Sequence, residues 1–311
     1  MFAPSSLRRG AVAGIAVTAT LALAACGSSS PSKSSPLAAS GSKGTIVIGS
    51  ANFPENELLA QIYSIALSAK GVKGTDKFNI GAREVYYPEV KSGAVTIIPE
   101  YNGTLLTVEV DPKSTAASTT AVNAALTAGL PSTMEILNSA SAQDSDSVTV
   151  TQAFASKHHL ASIADLKPLA SSMVFGGPSE FKTRSDGLAG LQKNYGLTFK
   201  SFDPLDESGP ITLAALQDGK VQAADVFTTT PQIVSDHLVS LADPKFNFAA
   251  QNVTPLVYKP AMTSTITDTL NAISAKLTTA GLLQIDTQVI ADHQSYVTVA
   301  TNWLKANGLP N

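Results

Sequence analysis

The sequence has little cysteine and little arginine, and both shortages limit what the protein can do. Its only cysteine is Cys26, so no intramolecular disulfide can form and the fold must depend on its hydrophobic core. Arginine occurs only as Arg8, Arg9, Arg83 and Arg184. Charged residues make up 14% of the chain, whose formal net charge is -3. This acidic balance argues against a nucleic-acid partner.

The beginning of the chain has the pattern of an export signal that ends at the cysteine. Two arginines precede fifteen uncharged residues, Ala11 to Ala25, a run shorter than the ~20 residues of a membrane-spanning helix. The residues Leu23-Ala24-Ala25-Cys26-Gly27 resemble the lipobox of bacterial lipoproteins, which implies cleavage before an acylated Cys26. We expect a signal peptide over residues 1–25 and an anchor in the cell envelope, on the outer face of the cytoplasmic membrane or in the periplasm. An ordinary signal peptide with a chance cysteine is the alternative.

A stretch rich in serine, proline and glycine follows the cysteine. Residues 26–43 contain one large apolar side chain, Leu37, so we expect them to form a flexible stalk. The 267 residues from Thr45 to Asn311 are long enough for one large domain or two lobes.

Known signatures of secreted enzymes are missing from the chain. The sequence has no Gly-x-Ser-x-Gly elbow and no glycine motif for nucleotide phosphates. His158 and His159 are adjacent, so on a helix their side chains would point about 100° apart and form no His-Glu-x-x-His metal pair. His237 and His293 are isolated. We expect a protein that is not an enzyme and that binds no metal or cofactor; a secreted lipoprotein hydrolase is the alternative of another class.

Short apolar runs alternate with amphipathic stretches along the rest of the chain. The run from Thr45 to Ile48 predicts a strand, and Pro54 with acidic residues in the next turn predicts the start of a helix. Apolar stripes near the C-terminus predict three helices whose buried faces include Trp303. The alternation predicts an α/β fold with mostly parallel sheets. Further strands are predicted at residues 95–98, 173–175, 223–227 and 253–257.

Two segments of the chain repeat one pattern. Val90–Val95 and Leu216–Val221 each end a helical stretch, pass through a glycine and enter a strand. An aromatic residue stands eight positions after each glycine, Tyr101 in the first copy and Phe227 in the second. If the repeat reflects two similar lobes, both rings lie at the carboxyl ends of equivalent strands, where open α/β sheets bind ligands.

Five segments in order have a more specific pattern, and together they cover nearly all of the chain after the stalk. They resemble the substrate-binding lipoproteins of osmoprotectant ABC importers, which handle glycine betaine, choline, carnitine and related quaternary amines. The segments are Ile48–Phe53, Pro99–Thr104, Phe175–Gly190, Phe227–Thr229 and Ser274–Thr279.

The resemblance implies an α/β fold of the type II periplasmic-binding-protein class, in which two lobes close on a solute. We expect lobe 1 to comprise residues 44–147 and 246–311, and lobe 2 residues 148–245. The apolar strand near Val253 would then return the chain to lobe 1. The implied partners are a small-molecule solute and the permease subunits of the membrane, and we expect a monomer.

A quaternary ammonium cannot donate a hydrogen bond, so a protein that binds it needs aromatic faces around the cation. Related binders use several tyrosines, and the resemblance places Tyr101 and Phe227 at two of those positions, although either ring could belong to the core. The third and fourth positions fall near Val148 and Gln251, which are not aromatic.

The resemblance also implies partners for a solute carboxylate. Thr104 and Arg184 match positions with that role, and an arginine fork suits a carboxylate. Many relatives have a lysine where this chain has Ala51, beside Asn52. The predicted ligand-binding residues are Asn52, Tyr101, Thr104, Asp146, Arg184, Phe227 and Gln251.

The incomplete aromatic cage leaves two kinds of solute open. Asp144 or Asp146 could supply a compensating negative charge to an ammonium group, or the pocket could take an uncharged polyhydroxylated or phenolic molecule. Arg184 could instead pair with Asp186 or Glu180 and hold a loop. A solute sensor that signals to a receptor is not distinguishable by sequence from a transport subunit.

Overall fold

Two five-stranded sheets organise residues 45–311, the part of the chain that the computed structural model describes. The predicted signal peptide, the stalk and Cys26 lie outside the described residues. The strands are β1 (Ile46–Gly49), β2 (Gly74–Lys77), β3 (Ile97–Tyr101), β4 (Met134–Ile136), β5 (Val148–Thr151), β6 (Val174–Gly177), β7 (Ser201–Pro204), β8 (Ala223–Asp225), β9 (Leu238–Ser240) and β10 (Val253–Tyr258).

Helices of one to four turns connect these strands. They are α1 (Pro54–Ala69), α2 (Arg83–Ser92), α3 (Asn102–Thr104), α4 (Thr119–Gly129), α5 (Gln152–His158), α6 (Leu188–Tyr195), α7 (Pro210–Gln217), α8 (Gln232–Ser235), α9 (Ser264–Ser274), α10 (Thr279–Asp286) and α11 (Tyr296–Ala306). Leu105–Val110 and Thr287–Ala291 are π turns that continue α3 and α10. None of the helices in residues 45–311 has the length and apolar character needed to cross a membrane.

Each sheet contains one strand that runs against the other four. The first sheet has the order β2-β1-β3-β10-β4 and the second β7-β6-β8-β5-β9. In the first sheet β10 is the antiparallel strand, and in the second it is β5. Both strands begin where the chain arrives from the other lobe, at the edge where the parallel strands end. As predicted, most strands of each sheet run in one direction. Half of the strand pairings are nevertheless antiparallel, because the one reversed strand lies between two others.

The two sheets have the same topology, which confirms the repeat seen in the sequence. In both sheets the central strand, β3 or β8, has a parallel neighbour on one side and an antiparallel neighbour on the other. The helix before each central strand is followed by a glycine in the left-handed region, Gly93 at φ 81° and Gly219 at φ 70°. A residue with a Cβ atom would be strained at either position.

Helices cover both faces of each sheet, so the central strands β3 and β8 are buried on two sides. In lobe 1, which contains the first sheet, α1 and the C-terminal helices α9–α11 pack on one face. Helices α2 and α4 pack on the other face. Trp303 of α11 is part of this core, as predicted, and β10 returns the chain to lobe 1 as expected. In lobe 2, which contains the second sheet, α5 and α6 cover one face and α7 the other.

The two crossovers between the lobes run side by side at the base of the cleft. An antiparallel bridge joins Gln143 to Asn252, and the amide of Asp144 donates to the carbonyl of Gln251 at 3.1 Å. Because β3 and β8 end beside these crossovers, the residues that follow each strand meet in the space between the lobes.

Candidate functional site

A small cavity lies between the lobes, at the carboxyl ends of the two central strands. We call it the central cavity; its volume is about 40 Å³. Open α/β sheets bind ligands at this edge, because the loops after the strands converge there. The cavity is lined by Ala51, Phe53, Arg83, Tyr86, Tyr101, Thr104, Asp144, Asp146, Arg184, Glu207, Phe227 and Gln251.

Three aromatic rings form one wall of the central cavity. The ring of Phe53 lies between the other two, 5.9 Å from the centroid of Tyr101 and 5.1 Å from that of Phe227. Phe53 occupies the extended position directly before α1, and Tyr101 is the last residue of β3. Phe227 follows β8 and belongs to lobe 2, so a solute held by these rings would touch both lobes.

A hydrogen bond fixes the orientation of the Tyr101 ring. Its hydroxyl donates to Glu55 Oε1, in the first turn of α1. The other oxygen of Glu55 accepts a bond of 2.7 Å from Thr229 Oγ1, which crosses from lobe 2. Burial, together with the nearby Glu55 charge, raises the pKa of Tyr101 well above its usual value. The tyrosine therefore stays neutral, with its hydroxyl hydrogen directed away from the cavity.

Two aspartates of the first crossover add negative charge beside the rings. Asp144 accepts a bond of 3.0 Å from the Thr229 amide, and Asp146 Oδ2 lies 3.5 Å from Thr104 Oγ1. Burial raises the pKa of Asp144 well above its ordinary value, and the charge of Glu55 raises it further. Burial also raises the pKa of Asp146. A bound cation would offset the cost of ionising these carboxyls.

Both arginines that line the cavity already have carboxylate partners. Arg83 makes two bonds to Glu100, at 2.8 and 2.9 Å, within lobe 1. Arg184 of lobe 2 makes two bonds of 3.0 Å to Glu84 of α2 in lobe 1. The partner of Arg184 is thus neither of the neighbouring acids considered from sequence. Each guanidinium fork is occupied by protein, which leaves its best geometry unavailable to a solute carboxylate.

Thr104 and Gln251 bind each other. The amide of Thr104 donates to Gln251 Oε1 at 2.9 Å, and Gln251 Nε2 donates to the Thr104 hydroxyl. This pair connects α3 to the second crossover and leaves the hydroxyl of Thr104 free to donate toward Asp146. Six of the seven residues predicted from sequence line the central cavity, whereas Asn52 is exposed and does not line it.

Four further residues line the cavity that the sequence did not single out as ligands. Phe53 is the last residue of the first of the five segments that resemble the family, and this position could have identified it as a site residue. Arg83 stood out only as one of the two arginines after the export signal. Tyr86 lies in the core cluster of lobe 1 and donates to Glu100 at 2.7 Å. Glu207 had no sequence signal.

Burial also raises the pKa of other carboxyl groups around the cleft. It raises the pKa of Glu207 to about 8, with Glu180 nearby adding to the shift. The pKa values of Asp225 and Asp286 are raised well above the ordinary range, first by burial and then by neighbouring carboxylates. Within residues 45–311, no group of three or more His, Cys, Asp or Glu side chains is arranged to hold a metal ion. The cleft is therefore rich in carboxyl groups that lack a positive partner of their own.

Comparison with known proteins gives a consistent family. Residues 44–306 match the family described as the substrate binding domain of ABC-type glycine betaine transport systems. The glycine betaine-binding protein YehZ of Escherichia coli is 25% identical over 276 residues, which cover 85% of this chain and 90% of that protein. The ergothioneine transport permease/ergothioneine binding protein EgtU of Helicobacter pylori is 30% identical over 99 residues, 32% of this chain and only 18% of that protein.

Solved structures show the same architecture. The crystal structure of a glycine betaine/carnitine/choline ABC transporter protein superimposes with a TM-score of 0.65 at 20% identity, covering 85% of this chain and 98% of that one. The chain thus belongs to the family of glycine betaine-type substrate binding domains and has the two-lobe type II periplasmic-binding-protein fold. It is an ABC-transport solute-binding protein of the osmoprotectant class. The family acts outside the cytoplasm, with small solutes and permease components.

Proposed function

We propose that this member of the glycine betaine family captures a quaternary ammonium solute in the central cavity and delivers it to a membrane permease. The observation that supports this most is the pairing of three aromatic rings with two carboxylates in one lining. Rings attract a cation through their negative faces by about 0.5–2 kcal/mol each. Asp144 and Asp146 add carboxyl groups that a bound cation would help to ionise, so the two tyrosines that relatives have and this chain lacks are replaced by carboxylates and by Phe53.

The same geometry favours a cation over a zwitterion. A betaine carboxylate needs a donor, and the two guanidinium groups of the cavity are already bonded to Glu84 and Glu100. Once ionised, Asp144 and Asp146 would also repel it. Choline, which has a hydroxyl in place of the carboxylate, avoids both costs. Within the quaternary amines handled by such importers, we therefore expect choline-type solutes to bind more tightly than glycine betaine.

Closure of the two lobes would hold the solute. The paired crossovers at Gln143 and Asn252 form the short segment about which the lobes can move, with lobe boundaries at residues 147 and 246. The bonds from Arg184 to Glu84 and from Thr229 to Glu55 bridge the cleft. A solute in contact with rings from both lobes would shift the population toward this closed state, because it binds the closed state better.

Lipid anchoring through Cys26 completes the proposal. The acylated cysteine and the stalk to residue 43 would hold a monomeric receptor at the outer face of the cytoplasmic membrane, within reach of the permease, and the protein would have no enzymatic activity. Replacing Cys26 by serine tests the anchor: the variant should move from the membrane fraction to the soluble fraction of the cell envelope. Retention in the membrane fraction would contradict anchoring at this residue.

A thermal-shift screen tests the solute class. Choline, carnitine and glycine betaine should each raise the unfolding temperature, in the order choline first and glycine betaine last. A solute at 100 times its dissociation constant stabilises the folded state by about 2.7 kcal/mol. Stabilisation by uncharged polyhydroxylated or phenolic molecules, with no response to any quaternary amine, would overturn the proposal in favour of the uncharged alternative.

A further inference from the structure

A larger cavity adjoins the central cavity and differs from it in character. We call it the side cavity; its volume is about 360 Å³. Its walls are mainly apolar, with Pro210, Leu213 and Ala214 from α7 of lobe 2 and Ile290 from lobe 1. Ligand pockets usually measure about 300–1,000 Å³. The side cavity falls within this range, and the central cavity, at about 40 Å³, is far below it.

The two cavities share part of their lining. Phe53, Phe227 and Glu207 line both of them. A cation bound against the two phenylalanine rings would therefore lie next to the side cavity. Asp144 and Asp146 line only the central cavity, whereas most of the room is in the side cavity.

Two buried oxygens at the side cavity also lack a partner. Glu207 Oε2 and Gln232 Oε1 accept no hydrogen bond from any of residues 45–311. Both side chains line the side cavity. Buried acceptors are normally paired, and an unpaired one costs free energy. A donor on the occupant of this cavity would satisfy them.

We propose that the natural solute is larger than choline: its quaternary ammonium head occupies the central cavity, and an apolar substituent that bears a hydrogen-bond donor occupies the side cavity. This inference depends on the proposed function, since the bound head places the substituent. It explains why a chain with a small, acidic central cavity keeps an open apolar space beside the rings. Transfer of an apolar group from water into such a space is favourable in proportion to the apolar surface area that becomes buried.

Two probes that differ only in the substituent test the inference. Tetramethylammonium supplies the head alone, and benzyltrimethylammonium adds an aromatic ring. Calorimetry on the intact protein should give at least tenfold tighter binding of benzyltrimethylammonium. The variant Ala214→Phe places a ring in the side cavity; it should lose that gain and keep its affinity for tetramethylammonium. Ala189→Phe, on the exposed face of α6 in the same lobe, is the matched control and should behave like the wild type.

The outcomes separate this inference from the proposed function. Equal affinity of the wild type for the two probes would overturn the side-cavity inference while leaving a quaternary ammonium site in place. Equal weakening of both probes by Ala214→Phe would overturn it as well. Binding of neither probe by a protein with an intact circular dichroism spectrum would overturn the proposed function, and the inference with it.

Discussion

Arg184, which lines the central cavity, and Glu84 join the two lobes through a pair of hydrogen bonds, each 3.0 Å long. The guanidinium is largely buried and the carboxylate is 42% exposed. This pair, from residues one hundred positions apart in the chain, thus holds the cleft closed. It also neutralises the guanidinium of Arg184, which would otherwise be available to a solute carboxylate. The contact connects closure to solute selection.

Glu84→Gln should change the selectivity of the site. The substitution removes the negative partner of Arg184, so the guanidinium becomes available to a carboxylate in the cleft. We expect the ratio of choline affinity to glycine betaine affinity to fall at least threefold, as measured by calorimetry with both solutes. An unchanged ratio would show that Arg184 does not govern discrimination. Glu135→Gln, which breaks a lysine pair at the edge of lobe 1, is the control.

Asp146→Asn should weaken binding of choline and strengthen the folded state. Loss of one negative charge near an ammonium group should cost at least tenfold in affinity, about 1.4 kcal/mol. Besides burial, the charge of Asp186 opposes the ionisation of Asp146, and the charge of Asp146 in turn raises the pKa of Asp225. Relief of that repulsion should raise the free energy of unfolding in urea. Asp218→Asn, a substitution at an exposed residue of lobe 2, is the control and should alter neither quantity. Full choline affinity in the Asp146→Asn variant would contradict the role of the Asp146 charge.

Removal of either ring contributed by the repeated segments should weaken binding. Tyr101→Ala and Phe227→Ala should each reduce affinity for the true solute at least tenfold, because each loses a cation-π contact and apolar area. Tyr101→Phe keeps the ring and removes the bond to Glu55, so it should retain most of the affinity. Phe246→Ala, at a ring that is 69% exposed, is the control. Full affinity in both alanine variants would contradict the placement of the site.

The acidity of the cleft predicts opposite pH trends for stability and for binding. The raised pKa values mean that the folded, solute-free protein binds more protons than the unfolded chain above about pH 4.5. Its free energy of unfolding should therefore fall as pH rises toward about 8, the pKa of Glu207. Choline affinity should rise over the same range, because the cation favours the ionised carboxyls.

Two measurements check these trends. Urea unfolding from pH 5 to pH 8 gives the stability, and calorimetry in two buffers of different ionisation enthalpy gives the protons released on binding. Glu207→Gln should flatten the upper part of the stability curve. A stability that stays level or increases with pH in the absence of solute would contradict the assigned shifts.

Local signals in the sequence were sufficient for much of the fold. The helix that begins at Pro54 and the glycines at positions 93 and 219 follow from residue preferences that act over a few positions. The same signals placed Tyr101 and Phe227 at the carboxyl ends of equivalent strands. Antiparallel strands β5 and β10 were not foreseen as such, because their direction depends on where the chain enters each lobe.

Contacts between distant segments could not be read from the chain. Arg184 was considered beside acids two and four positions away, whereas its partner lies in the other lobe. Phe53 and Glu207 lack a local pattern that marks a ligand, and the shape of the lobes alone brings them together. Site residues that lie at the end of a single strand were thus predictable. Contacts that form only when the two lobes come together were not.

The comparison of choline with its uncharged carbon analogue, 3,3-dimethylbutan-1-ol, tests the central claim most directly. The two molecules have the same shape, and only choline has a positive charge. Calorimetry should show binding of choline at least a hundredfold tighter, because Asp144, Asp146 and the three rings all act on the charge. Equal affinity for the two molecules, or preference for the alcohol, would contradict a cation-binding site in the cleft.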